Sequence, residues 1–317
     1  MFPRLTLRLS ALILVTGAVF SFAVTTVAAH SDLTQHLNDQ YEGKTFILRN
    51  FYSGDHLKYE PSGHAINPLA PDDWTVAGVV EVESFRLAGD HLKIEARRLH
   101  LGWLGGVFQE LHDHDREGKS DKDEGKNRYL LIEVGLGLAT VEAADAVLSQ
   151  IFLTSRDSFA DLVPDYWKPC VLAALTGKGS KQYSACRFSQ EFAAIPGIAL
   201  SPGEGGEPGQ SGANEAQPSQ GSVLRIGNGV APPKVILQTA PEFSDAARRA
   251  KCQGTSTLSL VVDKTGQARN IRISRPLGAG LDQKAVETIS RWQFSPATRV
   301  GEPVNVEIAV EVDFHLY

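Results

Sequence analysis

The densest run of polar side chains is His112 to Glu124. Counted from Asp113, acidic residues stand at positions one, three, five, nine and twelve (Asp113, Asp115, Glu117, Asp121, Glu124), with Gly118 at six. That is the spacing with which an oxygen-lined loop holds calcium. However, Ser120 stands where an apolar residue normally anchors such a loop. The next segment, Tyr129–Val134, reads as a strand where an exiting helix is required. A solvated loop between strands fits better, and no metal or other cofactor is expected. Nucleophilic catalysis finds no footing either. There is no Gly-x-Ser-x-Gly elbow, and phosphate loops and dinucleotide fingerprints are missing. His56, His64, His91 and His100 fall in or beside expected hairpins, where surface or packing roles suit them. Trp74, Trp103, Tyr166 and Trp167 are of a kind that lines apolar pockets and more often builds cores. The chain does not read as an enzyme.

Composition narrows the classes further. The formal net charge is −6 and the basic residues are scattered, so no nucleic-acid partner is expected. Arg4 and Arg8 precede an uncharged run, Leu9–Ala29, that ends in Val27-Ala28-Ala29. This reads as a signal peptide over residues 1–29, cleaved before His30. The alternative is a retained inner-membrane anchor, since the run is about the 20 residues a bilayer core requires. A periplasmic location follows from the first reading. In that oxidising compartment Cys170 and Cys186 are disulfide candidates, which leaves Cys252 over.

These residues need elements to position them, and the pattern predicts an α+β protein. Residues 31–200 read as a β-rich α+β domain of unknown function. Thr45–Arg49 and Leu57–Tyr59 flank Ser53-Gly54-Asp55, a hairpin signal. Val79–Leu87 and Leu92–Leu101 flank a second turn at Ala88-Gly89-Asp90-His91. Leu92, Ile94 and Ala96 alternate with Lys93 and Glu95, as in a strand with one buried face. Thr140 offers an N-cap to a helix carrying Val141, Ala144, Val147, Leu148 and Ile151 at helical spacing. Residues 201–225 are a flexible linker rich in Gly, Pro and Ser. Residues 226–317 regain structure in the order strand, strand, helix, strand, with an antiparallel sheet. Thr255–Asp263 turns at Asp263-Lys264-Thr265-Gly266 into Ala268–Ser274. Leu281–Trp292 reads as a helix, and Val304–Leu316 as one long alternating strand.

The landmarks of this last segment resemble those of TonB-type C-terminal domains. They begin with Pro241 and the Ala-Ala-Arg run ending at Arg248, then Gly254, then Asp263 to Gly266. They continue with Leu281-Asp282, Trp292-Gln293-Phe294-Ser295-Pro296-Ala297, and Gly301-Glu302-Pro303-Val304. Ala240 stands where the family usually has Tyr, and residues are inserted before Ala246. Read physically, Trp292 and Phe294 end the helix and cap the sheet, Pro296 stops the helix, and Gly301 with Pro303 turns the chain into the last strand. The signature specifies a fold and contains no catalyst.

The resemblance implies a binding mode. TonB-type domains take an extended segment of an outer-membrane receptor as an added strand, and so link it to transmembrane transport. The partner expected here is an outer-membrane receptor or another envelope protein, with a homodimer as a further outcome. The candidate edge is the last strand, with Asn305, Glu307, Ala309, Glu311 and Asp313 on its polar face. The same acids suit an edge that must resist promiscuous pairing. Two traits of the family's energy transducers are not matched. Leu9–Ala29 contains no His, and the linker lacks Glu-Pro and Lys-Pro repeats. The alternative function is a periplasmic adaptor or dimerising scaffold without energy transduction.

Overall fold

The computed structural model describes residues 31–66, 70–113, 128–177, 180–198 and 222–316. The export signal and nearly all of the acidic calcium-type loop lie outside the described residues, as do positions 201–221 of the linker.

The first half is built on one sheet. Residues 31–41 form helix α1, whose Leu33 and Leu37 are buried one turn apart. The strands are β1 (Thr45–Ile47), β2 (His56–Tyr59), β3 (Val79–Ala88) and β4 (His91–Arg98), followed by β5 (Leu101–Leu104), β6 (Val107–Glu110) and β7 (Tyr129–Gly135). The short helix α2 (Trp74–Ala77) precedes β3, with the Asp73 carboxylate capping Thr75 N–H. The main sheet runs β1-β3-β4-β7-β2, and β5 forms a separate two-stranded sheet with β6. Helix α3 (Val141–Ile151) is capped by the Thr140 hydroxyl, as its sequence predicts. It lays Ala144, Val147, Leu148 and Ile151 on Leu92, Ile94, Ala96, Leu130, Ile132 and Val134 of the sheet.

The Ala88–His91 hairpin forms as expected. The Ser53–Asp55 hairpin does not: β1 and β2 lie on opposite edges of the sheet, and β2 runs parallel to β7. The reason is tethering. Arg98 is buried and its guanidinium donates to the carbonyls of Tyr52, Gly54 and Ala77, so the connecting loop is pinned across the sheet end.

Helices α4 (Phe159–Leu162), α5 (Lys168–Thr176) and α6 (Gln190–Ala193) follow. A disulfide joins Cys170 in α5 to Cys186. Cys252 is free and buried, and burial pushes its thiol up to about 11.

The second half begins with short strands β8 (Leu224–Arg225), β9 (Val230–Ala231) and β10 (Lys234–Leu237). Helix α7 (Asp245–Arg249), β11 (Gly254–Val262), β12 (Ala268–Arg275) and helix α8 (Leu281–Ile289) come next. The chain ends with β13 (Gln293–Ser295), β14 (Ala297–Arg299), β15 (Glu302–Val304) and β16 (Val306–Phe314). Leu224 and Arg225, expected in the linker, instead form a strand.

Two expectations are corrected here. The helix ends at Ile289, not Trp292. Trp292 lies beyond it and donates Nε1–H to Thr239 O at 3.2 Å, while Phe294 is buried in β13. Pro296 therefore separates β13 from β14 and does not stop the helix. The last strand is also broken. β14 and β15 close a hairpin over Val300 and Gly301, both at positive φ (53° and 83°), and β16 starts only after Asn305. Asn305 is held at the break because its side-chain oxygen accepts from Lys264 N–H at 3.1 Å.

The halves share one hydrophobic core. Trp74, Phe108, Phe159 and Trp167 from the first half belong to the same buried cluster as Leu258, Leu260, Ile273, Leu281 and Phe314 from the second. Trp74 packs edge-on to Trp167 with ring centroids 5.3 Å apart. The aromatic side chains thus serve as core at the junction.

Candidate strand-adding edge

The sheet of the second half runs β12-β11-β16-β8, and β11 pairs antiparallel with β16 from Gly254↔Phe314 to Val262↔Val306. Its apolar face carries Leu258, Leu260, Val262, Val306, Val312 and Phe314 onto the core. The turn joining β11 and β12 is fixed by its own chemistry. Asp263 Oδ1 accepts from Thr265 N–H and Gln267 N–H, and Gly266 sits at φ 82°. A Cβ on Gly266 would stand 1.9 Å from Phe294 O, so only glycine permits the turn to close against β13.

Asp282 organises the crossover from β12 to helix α8. Its carboxylate is fully buried. It accepts from Leu277 N–H at 3.0 Å, Gly278 N–H at 2.6 Å and the Ser256 hydroxyl at 2.6 Å. Burial raises its pKa to about 7, against the pull of those donors. The side chain staples a turn to the sheet.

That turn is where the halves meet. Ala279 N–H donates to Leu101 O at 2.6 Å, and Trp103 N–H donates to Leu277 O at 2.9 Å, an antiparallel bridge between β5 and the turn. Gly280 N–H donates to the Thr75 hydroxyl at 2.9 Å, and that hydroxyl donates to Asp73 Oδ1. A Cβ on Gly278 would lie 2.5 Å from Leu101 O. Asp73 is buried too, and burial raises its pKa. His100 nearby is driven down to about 3, by burial first and by the Arg128 guanidinium second, so it is neutral.

The two sheet edges have different fates. At β12, Ile273 N–H points away from β11 and donates to Tyr166 O at 2.9 Å. Helix α5 and residues Lys181–Tyr183 pack along the same strand. The first half therefore seals this edge around Ile273, while Arg269 and Asn270 at its start are exposed. At β16, β8 pairs in parallel opposite Val306 and Glu307 only, with Leu224 N–H donating to Asn305 O at 2.9 Å. Among the described residues, no strand pairs with Ile308–Phe314 on that side. This open stretch is about 20 Å long at about 3.3 Å per residue.

Of the candidate edge residues, Ala309, Glu311 and Asp313 lie along the open stretch and are exposed. Glu307 is half-buried and accepts from the Ser259 hydroxyl at 3.0 Å, and Asp313 accepts from the Thr255 hydroxyl. Asn305 lies at the break before β16. The signature residues sit elsewhere. Arg248 stacks over Phe243 at 5.6 Å, and Phe243 meets Phe314 edge-on at 5.5 Å. Pro303 lies in β15 opposite Thr298. Sequence reasoning missed the strand at Leu224 and the cover from Tyr166. Val223, Leu224 and Ile226 are an apolar cluster after a polar stretch, and that signal was there to find. Asp113 pairs with Arg128 at 2.9 Å and lies 3.5 Å from Arg249. No group of three or more potential metal ligands occurs among the described residues.

The second half is thus an α+β unit whose sheet has one edge covered by the first half and, among the described residues, the other open beyond β8. Residues 239–316 match the family model of the Gram-negative bacterial TonB protein C-terminal, and this segment is a TonB-type C-terminal domain. It is 35% identical over 78 residues to Protein tonB2 of Pseudomonas aeruginosa, covering 24% of this chain and 29% of that one. Over 86 residues it is 33% identical to Protein TonB of Vibrio cholerae, covering 27% of this chain and 35% of that one. The chain thus spans about a third of the length of these curated relatives. A solution NMR structure of the Pseudomonas aeruginosa TonB C-terminal domain aligns with 31% of this chain and 99% of its own, at 13% identity and a TM-score of 0.23. Among the described residues, no helix is long and apolar enough to cross a membrane.

Proposed function

We propose that this chain is an exported envelope protein that binds partners, outer-membrane receptors first among them, by strand addition at β16, and that this binding serves transmembrane transport. The observation that carries the reading is the open main-chain edge from Ile308 to Phe314 beside a second edge that is sealed. Edge pairing offers affinity through main-chain hydrogen bonds and selectivity through alternate side chains. The similarity to Protein TonB supports the assignment to transport. The division into a first region over 31–200 and a last region over 226–317 belongs to the same proposal, with the linker ending before β8 at Leu224 and the first region docked on the last through the shared core. Periplasmic residence after signal cleavage belongs to the same proposal.

The test is crosslinking in cells. Photoreactive residues at Ala309, Glu311 and Asp313 are expected to capture an outer-membrane protein, and the same group at Arg272 on β12 is not. Capture from β12 with none from β16 would refute the reading. Deleting residues 226–317 is a poorer test, because it strips half of the shared core from Trp74 and Trp167.

A further inference from the structure

The outer face of the second sheet is sorted by charge. On β16 the outward positions are Glu307, Ala309, Glu311 and Asp313. On β11 their partners are Val261, Ser259, Thr257 and Thr255, none of them charged. Across from these on β12 stand Arg269, Arg272 and Arg275, opposite Val261, Ser259 and Thr257. The sheet therefore carries an acidic outer strand, a neutral middle and a basic far strand. Acids and arginines are two strand spacings apart, about 10 Å, close to a Debye length at physiological salt. The arginines are also engaged locally. Arg269 pairs with Asp263 at 3.2 Å, Arg275 lies over Trp103 at 5.6 Å, and Arg272 donates to Ile271 O. The two β16 acids that are hydrogen-bonded from β11 receive neutral hydroxyls, from Ser259 and Thr255. β11 offers Glu311 and Asp313 no cation, which leaves the open side as the place for a positive complement.

The chain's own short strand follows this rule. Leu224 of β8 stands opposite Val306, and Arg225 stands opposite Glu307: apolar against apolar, basic against acidic. Further along, Ile308 and Val310 remain half-buried on the apolar face, while Val312 and Phe314 are buried. An added strand would cover what Ile308 and Val310 still expose.

We infer that the open edge at Ile308–Phe314 is built for an extended segment in which basic side chains alternate with apolar ones, the basic ones opposite Ala309, Glu311 and Asp313 and the apolar ones opposite Ile308, Val310 and Val312. This rests on the strand-addition reading and specifies the chemistry of its partner. Opposite-charge cross-strand pairs add to one another, so the charge rule is worth about tenfold in affinity over the acidic positions.

The experiment uses the full chain and two synthetic peptides, Val-Lys-Val-Lys-Val-Lys-Val and Val-Glu-Val-Glu-Val-Glu-Val. Affinity is measured by titration, and strand addition by amide-exchange protection at Ile308–Phe314. The lysine peptide is expected to protect those amides and to bind about tenfold more tightly than the glutamate peptide. In the double variant Glu311→Lys, Asp313→Lys, whose altered side chains are exposed, the ranking reverses. If both peptides protect the edge equally, strand addition stands and the charge rule is overturned. If neither protects it while the chain stays folded, the acids guard the edge against pairing, and both proposals fall.

Discussion

The two edges of the second sheet differ most in what meets them. Both are antiparallel partners of β11, β16 in unbroken register and β12 with register shifts at Thr257/Leu258 and Ser259/Val261. β12 is covered by the first half through Tyr166 and helix α5, with the bridge at Gly278 just beyond its end, while among the described residues the outer side of β16 is paired only at its start, by β8. An unpaired edge is a liability that proteins usually blunt. Sealing one edge and leaving the other open gives the sheet a single direction for growth. On the strand-addition reading proposed above, the first half covers one edge and supports the other on a rigid base.

The most disruptive way to break this contrast is Gly278→Val. The residue sits at φ 84°, and a Cβ would meet Leu101 O at 2.5 Å, with Gly102 Cα at 2.7 Å. A strained left-handed backbone and overpacking together cost about 3–5 kcal/mol. Chemical denaturation should show this loss, and Ile273 N–H should exchange faster as the β12 edge is released. A variant with wild-type stability would mean that the bridge does not hold the halves.

Next in size is the disulfide. Replacing Cys170 and Cys186 by Ser frees a loop with a sequence separation of 16, and the chain-entropy argument gives about 3 kcal/mol of destabilisation. Because α5 packs on β12, the loss should again weaken the sealed edge more than the open one. Equal effects on exchange at β12 and β16 would blur the distinction between them.

A third effect is a pH dependence at the junction. Asp282 has a folded pKa of about 7, raised from 3.8. A raised value means that folding favours the protonated form. Its contribution is therefore fully present below about pH 4 and is lost as pH rises through about 7. Thermal melts across that interval should show the wild type declining more steeply than Asp282→Asn, whose uncharged amide removes this titration while the buried Asp73 keeps its own. Parallel melting curves would show that Asp282 does not titrate there.

The sequence made the second half legible because its signals are local. The alternation from Val306 to Phe314, the Asp263–Gly266 turn and the opening of helix α8 each depend on neighbours a few residues away. Where tertiary contacts decide, the pattern misled. Trp292 has helical spacing, yet its indole is drawn out to Thr239 O. Asn305 fits an unbroken strand, yet its side chain is captured by the Lys264 amide. Ser53-Gly54-Asp55 reads as a hairpin, but Arg98, far along the chain, pins the loop open. The docking of the halves had no local signature, because it rests on Thr75, Leu101 and Gly278, ordinary residues made specific by close approach. The alternation of the last strand makes it a candidate edge from sequence alone, whereas the cover that Tyr166 lays over β12 has no local signal.

The most direct measurement is native-state amide exchange on the free chain, comparing the two edges residue by residue. Ile273 N–H on β12, bonded to Tyr166 O, is predicted to exchange as slowly as the buried core. The outward amides between Ile308 and Phe314 should exchange orders of magnitude faster, because they open without unfolding. Protection of those β16 amides at the level of Ile273 would show that the edge is already occupied, and would contradict the account.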